Sequence, residues 1–233
     1  MQNIMADNDH ENMQHGWLHA FKEPGSAITH LIGAVAAAIA APFLIRQYIR
    51  CGASASELAG AVIFILSMFL LYSASTIYHS VRSTPDREMI LKKMDHMMIF
   101  VLIAGSYTPF CLTVLKPHGG MLMLAGIWGL AAAGMIFKYC WVTCPKWVSS
   151  VIYIGMGWFC IPIIPALLSD LPHAAFGLLL AGGLTYTIGG VIYALKLEVF
   201  NHLHPNFGSH EVFHLFIMGG SLLQFLVVYS YLV

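Results

Sequence analysis

The hydrophobic residues of the chain are gathered into seven long runs separated by short polar segments. An α-helix needs about 20 apolar residues to cross a bilayer, and each run approaches or exceeds that length. Glycine, proline and charged residues mark the joins between runs. The pattern predicts an all-α bundle of seven transmembrane helices, with successive helices as antiparallel neighbours. The predicted spans are residues 27–49, 57–80, 94–115, 120–140, 147–168, 174–195 and 209–232.

Composition supports a membrane protein and argues against several other classes. Of the 233 residues, 58% are hydrophobic and only 9% are charged, whereas soluble domains have about 25% charged residues. The formal net charge of zero gives no indication of a nucleic-acid partner. The five cysteines are an odd number scattered through apolar context, which does not indicate a disulfide framework. Two of them, Cys140 and Cys144, share a helix face and could bind a metal, but buried or interfacial thiols are the favoured interpretation.

The first 24 residues are polar, and residues 25–233 are predicted to form one transmembrane domain. The polar segment lacks the basic start, short apolar core and cleavage site of a signal peptide. We expect a disordered tail or one that lies at the membrane interface. A weak metal-binding tract is the alternative, because the segment holds His10, His15 and His19.

The distribution of basic residues predicts the orientation of the bundle. Cytoplasmic loops carry an excess of lysine and arginine. Only three of the 11 basic residues, Arg46, Arg50 and Lys116, fall on one predicted side. The other eight lie in the amino-terminal tail and the even-numbered loops, so the amino terminus is predicted to be cytoplasmic and the carboxyl terminus outside.

Ionisable residues inside the membrane lie at the ends of three spans. His79 ends the second span, Asp95 opens the third, and His210 and His214 lie on one face of the seventh. A buried imidazole in lipid is costly without a partner and usually functional. Under the predicted topology all four side chains lie at the cytoplasmic side. Three histidines and a carboxylate at one depth predict a zinc site with a fourth position open to water.

Residues near this predicted site leave alternatives open. Ser75 lies one helical turn before His79, where it could orient the imidazole or stabilise an oxyanion. It could equally donate a hydrogen bond to a carbonyl of its own helix. His30 either joins the site or packs between helices, and the role of His96 is open. Asp95 has the stronger claim to the site than its neighbour His96; its alternative is a salt bridge with Lys92, Lys93 or Arg82.

The stretch His210-Glu211-x-x-His214 also matches the zincin peptidase pattern, in which the glutamate is the general base. Short patterns of this kind recur by chance, and the second and third spans already offer partners for the metal. We therefore interpret Glu211 as facing the headgroup layer. His202 and His204 are predicted to be solvated in the last loop.

Taken together, these motifs resemble the haemolysin III family of bacterial membrane proteins, within the progestin and adipoQ receptor superfamily. The resemblance rests on EPGSAITH at 23–30, STIYH at 75–79, DH at 95–96 with IAGSYTPF at 103–110, and HxxxH at 210–214. It implies that zinc is held by His79, His210 and His214, with Asp95 approaching through water and Ser75 beside it. Adiponectin receptors and alkaline ceramidases share the pattern, which implies lipid-amide hydrolysis.

The function hypothesis is a zinc-dependent hydrolase of lipid amide or ester bonds at the cytoplasmic leaflet of the bacterial inner membrane. Asp95 would move protons to and from the reacting groups, and Ser75 would help to stabilise the oxyanion. A non-catalytic signalling or regulatory protein, or a haemolysin-like pore-former, with structural zinc, is the alternative. An ion transporter ranks last, because the outer half of the bundle has almost no ionisable groups.

Overall fold

The structure of the protein is a computed structural model that describes residues 21–195 and 207–233. Over these residues the architecture is all-α, with seven helices that are long and apolar enough to cross a membrane. The predicted seven-helix bundle is confirmed, and the chain is a multi-pass membrane protein. The orientation of the termini stays a prediction. Predictions for some tail and loop residues fall outside the described residues: His10, His15, His19, Lys196, His202 and His204.

The observed helices follow the predicted apolar runs closely, with one clear difference at α3. The helices are α1 Pro24–Arg50, α2 Ala55–Ser80, α3 Pro85–Leu112, α4 Gly120–Cys140, α5 Lys146–Asp170, α6 His173–Leu195 and α7 Ser209–Tyr231. The prediction started α3 at residue 94 because it counted only apolar residues. The helix begins earlier, since Pro85 suits a first helical position and Asp86 and Glu88 interact favourably with the amino-terminal end of the helix dipole.

The fifth span is irregular near its prolines. Its α-helix runs Lys146–Gly157, changes to a 3₁₀ helix over Trp158–Ile163, and resumes as Ile164–Asp170. Proline lacks the amide hydrogen that the helix interior uses, so Pro162 interrupts the regular bonding. The Tyr107 hydroxyl of α3 compensates at this break by donating to the Gly157 carbonyl (2.5 Å) and accepting from the backbone N–H of Cys160 (3.1 Å).

Helix packing brings the ends of α1, α2, α3 and α7 together. The chain neighbours α1 and α2, α2 and α3, α3 and α4, and α6 and α7 pack most extensively, and α7 returns to pack against α1. Close approach depends on small residues at some crossings. At Gly134 in α4, an added Cβ would lie 2.2 Å from the ring of Phe100 in α3. The contact between α7 and α1 therefore closes the bundle. One end of each of α1, α2, α3 and α7 lines a shared interior.

Candidate metal centre

Three histidines from two helices meet at this end of the bundle. His79 lies in the last turn of α2, and His210 and His214 lie in the first two turns of α7. Their candidate ligand nitrogens all lie within 4.8 Å of one another, and the Nε2 atoms of His79 and His210 are 3.3 Å apart. Tetrahedral zinc with Zn–N bonds of about 2.0–2.1 Å places two ligand nitrogens about 3.3–3.4 Å apart. The group can hold a metal ion.

A hydrogen bond from Glu23 fixes the orientation of the His79 ring. Nδ1 of His79 donates to Oε2 of Glu23 at 2.5 Å, and the backbone N–H of Glu23 donates to the His79 carbonyl at 2.9 Å. The hydrogen bond from His79 holds the pKa of Glu23 below its ordinary value, although burial acts in the opposite direction. A carboxylate only accepts, so the proton of a neutral His79 is on Nδ1 and the Nε2 lone pair is left for a metal.

Thr29 of α1 gives His214 the same tautomer by a different route. The Thr29 hydroxyl donates to the backbone carbonyls of Gly25 and Ser26, each at 3.0 Å. Its oxygen is also 3.1 Å from Nδ1 of His214. Because the only hydroxyl proton is already directed at carbonyl oxygen, the hydroxyl accepts from His214 Nδ1–H. His214 therefore also presents an unprotonated Nε2.

His210 completes the group, and its close contact with His79 favours a bound cation. Its Nε2 faces the unprotonated Nε2 of His79, whereas its Nδ1 is shielded from solvent and has no hydrogen-bond partner among the described residues. Lone pairs that converge at this distance need either a shared proton or a shared cation. Neutral imidazole nitrogens are ligands that suit zinc and neighbouring transition metals. The donor set thus fits a zinc ion, although it does not select zinc over those neighbours.

The two predicted catalytic residues line the same cavity as the histidines. Asp95 is 9% exposed and Ser75 is 1% exposed, and both contribute to the cavity wall. Asp95 interacts electrostatically with His79, and the buried Ser75 hydroxyl has no hydrogen-bond partner among the described residues. Within the described ranges Asp95 has no ion pair with lysine or arginine, so the salt-bridge alternative is not observed. Asp95 is therefore a buried carboxylate in the wall of the cavity that the three histidines line.

His30 and His96, the two other histidines considered from the sequence, lie beside the three-histidine group. His30 is 3% exposed and stacks on His214 with ring centroids 3.5 Å apart. Neither of its ring nitrogens has a hydrogen-bond partner among the described residues. His96 is also buried and lines the cavity together with Asp95. The three-histidine group includes neither of them; His30 supports the ring of His214 from behind.

Glu211 joins the start of α7 to α1 through its carboxylate. One carboxylate oxygen accepts from the Ser26 hydroxyl, and the other accepts from the backbone N–H of Gly208 at 2.8 Å. Both oxygens are therefore engaged in holding the start of α7. Our interpretation of Glu211 as a headgroup-facing residue was wrong in this respect, because its partners lie within the protein.

The sequence motifs assign no role to Glu23 or Thr29, the two residues that orient the histidine rings. A signal for this face was present, because Ser26, Thr29 and His30 follow at helical spacing and are all buried in an otherwise apolar helix. A polar stripe on a membrane helix indicates a partner inside the bundle. What it does not reveal is which histidine each residue contacts, since that depends on the packing of α1 against α2 and α7.

Two cavities meet inside the bundle. The cavity at the histidines has a volume of about 440 Å³ and mixed polar and apolar walls. A second cavity of about 140 Å³ lies deeper and is lined mainly by apolar residues of α3, α5 and α6. Tyr153 and Tyr186 contribute to the walls of both. A polar chamber with metal-ligating groups therefore adjoins an apolar one.

The family of the chain follows from comparison with known proteins. A family model described as "Haemolysin-III related" matches residues 18–225, which include every residue of the candidate metal centre. The chain belongs to the haemolysin III family. Hemolysin-3 of Bacillus cereus is 39% identical over 210 residues, which cover 90% of this chain and 91% of that protein.

More distant relatives of this haemolysin III family member come from animals. The human protein named monocyte to macrophage differentiation factor is 26% identical over 219 residues, covering 91% of this chain and 85% of that protein. A Drosophila melanogaster adiponectin receptor protein is 24% identical over 232 residues, covering 87% of this chain and 49% of that protein. The resemblance found in the sequence motifs is thus confirmed.

We expect the Glu23→Gln variant to bind zinc about 10- to 100-fold more weakly than the native protein. Glutamine can still accept a hydrogen bond from His79 but removes the negative charge, and loss of such outer partners typically costs this much affinity. Competition with a zinc chelator of known affinity measures the change. The matched control is Glu57→Gln at the opposite end of α2, where the carboxylate caps the helix. Equal affinities of the two variants would contradict the assigned role.

Proposed function

We propose that the protein is a zinc-dependent hydrolase of lipid amide or ester bonds in the plasma membrane, acting at the cytoplasmic leaflet. The observation that carries this proposal is the position of Asp95 and Ser75 in the cavity of the three histidines. Structural zinc sites usually have four protein ligands, whereas catalytic sites have three and keep a position open. The group here has three histidines and an adjoining chamber.

The residues around the group have the chemistry that hydrolysis requires. A zinc ion held by His79, His210 and His214 would supply a Lewis acid and lower the pKa of water. Asp95 would accept a proton from the attacking water and deliver it to the leaving nitrogen or oxygen, as a general acid–base does. Ser75 would donate a hydrogen bond to the oxygen on which negative charge develops. Glu23 and Thr29 would keep the imidazole rings in their ligating tautomers.

The location of the group favours a lipid substrate. His79 and His210 lie within one turn of the ends of α2 and α7, so they lie near the depth of lipid headgroups and of the amide or ester bonds beside them. The apolar chamber that continues inward from the histidines suits a hydrocarbon chain. A water-soluble substrate would have no use for that chamber.

The proposal is tested by metal analysis and a hydrolysis assay on the full-length protein in lipid nanodiscs. We expect about one zinc per chain and release of the acyl chain from at least one member of a panel of lipid amides and esters. A chelator should abolish the release, and added zinc should restore it. Full zinc occupancy without turnover on any member of the panel would contradict the hydrolase proposal and would indicate a non-catalytic membrane protein with a structural metal.

A further inference from the structure

A second buried polar cluster lies beside the candidate metal centre and shares no residue with it. Lys138 is in the last turns of α4, Cys144 is in the segment that connects α4 to α5, and Ser149 is in the first turn of α5. The Lys138 Nζ atom is 3.2 Å from Cys144 Sγ and donates to Ser149 Oγ at 2.6 Å. Cys144 Sγ and Ser149 Oγ are 3.3 Å apart. The three side chains form a closed triangle.

Among the residues that the structure describes, the lysine amine of the cluster has no carboxylate beside it to balance its charge. Lys138 has 0% of its surface exposed, and it has no ion pair with an acidic side chain in the described ranges. A buried ammonium ion is costly without a counter-charge. The group in contact with Lys138 that can lose a proton most readily is the thiol of Cys144. A proton placed on either partner gives two forms of the pair that carry no net charge, namely ammonium with thiolate and amine with thiol.

Either form places a nucleophile against its reaction partner. In the ionised form the sulfur is the nucleophile, because a thiolate and not a thiol reacts with oxidants. In the neutral form the nitrogen carries the free lone pair. Ser149 holds the nitrogen against the sulfur by accepting a hydrogen bond from Nζ. The cluster thus has both groups needed for a bond between nitrogen and sulfur, already at contact distance.

We propose that Cys144 and Lys138 are a modification site at which hydrogen peroxide forms a covalent sulfur–nitrogen cross-link. The Cys144 thiolate attacks one peroxide oxygen, which gives a sulfenic acid and hydroxide, and the Lys138 ammonium gives its proton to the hydroxide to form water. The freed amine then attacks the sulfenic sulfur, and a second water leaves. The sum is thiol plus amine plus hydrogen peroxide giving sulfenamide plus two waters; the sulfur is oxidised and the peroxide reduced.

The surroundings favour this product over a disulfide. A sulfenic acid condenses with whichever thiol or nitrogen reaches it first. All five cysteines are free, and Cys140, four residues before Cys144, is exposed while Cys144 is buried. The residues on both sides of Cys144, Thr143 and Pro145, are exposed, so a molecule as small as peroxide has only a short path to the sulfur.

The cross-link would also act on the neighbouring cavity. It would join the end of α4 to Cys144 in the connecting segment. Cys144 is two residues before Lys146, which lines the cavity of the three histidines. Tyr153, whose ring centroid is 5.9 Å from Lys138 Nζ, lines that cavity too and donates to the His96 carbonyl at 3.1 Å. Oxidation at the cluster would therefore fix one wall of the chamber.

The proposal is tested by peptide mass spectrometry on the full-length protein in nanodiscs after treatment with hydrogen peroxide. We expect a peptide pair joined through Lys138 and Cys144, lighter by two hydrogen atoms than the separate peptides, and separated again by dithiothreitol. This measurement on the native chain needs no variant. The zinc content and the hydrolysis assay do not enter it, so its outcome is independent of the proposed function.

Two variants and a control sharpen the result. Lys138→Arg keeps the positive charge but lacks a nucleophilic amine, so we expect complete loss of the cross-link and oxidation of Cys144 to sulfinic or sulfonic acid. Ser149→Ala should lower the yield of the cross-link. Cys140→Ser should leave it unchanged. If peroxide on the native chain gives only the sulfur oxyacids or leaves Cys144 unmodified, the proposal is overturned.

Discussion

The His79→Ala variant is expected to purify with almost no bound zinc, whereas the native protein retains about one ion per chain. Loss of an outer hydrogen-bond partner lowers zinc affinity about 10- to 100-fold, and loss of a direct ligand removes more than that. His79 is one of three candidate ligands and the only one from α2, so its removal leaves two imidazoles on a single helix. Elemental analysis after dialysis against a weak chelator measures the difference.

A stability measurement separates loss of the metal from loss of the fold. A ligand that binds only the folded state raises its stability by about 2.7 kcal/mol when present at a hundred times its Kd. Zinc should therefore raise the melting temperature of the native protein and leave that of His79→Ala unchanged. The control is His118→Ala, because His118 lies at the opposite end of the bundle and pairs with Asp170 at 2.8 Å. One zinc per chain in His79→Ala would contradict the ligand assignment.

The sequence predicts the histidine group because of two regularities that need no tertiary information. The four-residue spacing of His210 and His214 places them on one face of a helix. Because the loops are short, successive helices run in opposite directions across the membrane. The end of α2 therefore lies on the same side as the starts of α3 and α7. Since these helices must each cross the same layer, the depth of His79 is nearly fixed by its position in its span.

The ring-orienting contacts could not be predicted in the same way. Glu23 lies just outside the first apolar run, and its contact with His79 depends on how residues 21–23 pack along the end of α2. From the sequence, Thr29 is equally compatible with hydrogen bonds to its own helix alone; in the structure it makes those bonds and also contacts His214. The rotation of α1 decides both, and that rotation results from packing against α2 and α7 together.

The Lys138 cluster shows a further limit of the sequence patterns. Lys138 is counted as a loop residue that marks the cytoplasmic side, and Cys144 is interpreted as a plain thiol. In the structure the lysine is fully buried, because the connecting segment folds back and places Cys144 and Ser149 against it. A charged residue near a membrane surface is expected to be exposed. The turn that buries Lys138 has no periodic sequence pattern from which it could be predicted.

The Asp95→Asn variant is expected to keep its zinc and lose hydrolytic activity by about 10²- to 10⁴-fold in kcat, the usual contribution of a general acid–base. Asparagine has nearly the same shape as aspartate but cannot accept the proton from the attacking water. Asp95 is outside the three-histidine group, so the candidate ligands are untouched. Parallel measurement of zinc content and acyl-chain release, on a substrate found with the native protein, separates the two effects.

The control for this variant is Asp170→Asn, which changes an aspartate that pairs with His118 at the other end of the bundle and should leave both quantities unchanged. Ser75→Ala should give a smaller loss of kcat with zinc retained, because it removes one hydrogen-bond donor and leaves the proton acceptor in place. If Asp95→Asn loses zinc along with activity, Asp95 holds the metal and its assignment as a base fails. If the variant keeps both, the proton acceptor lies elsewhere in the cavity.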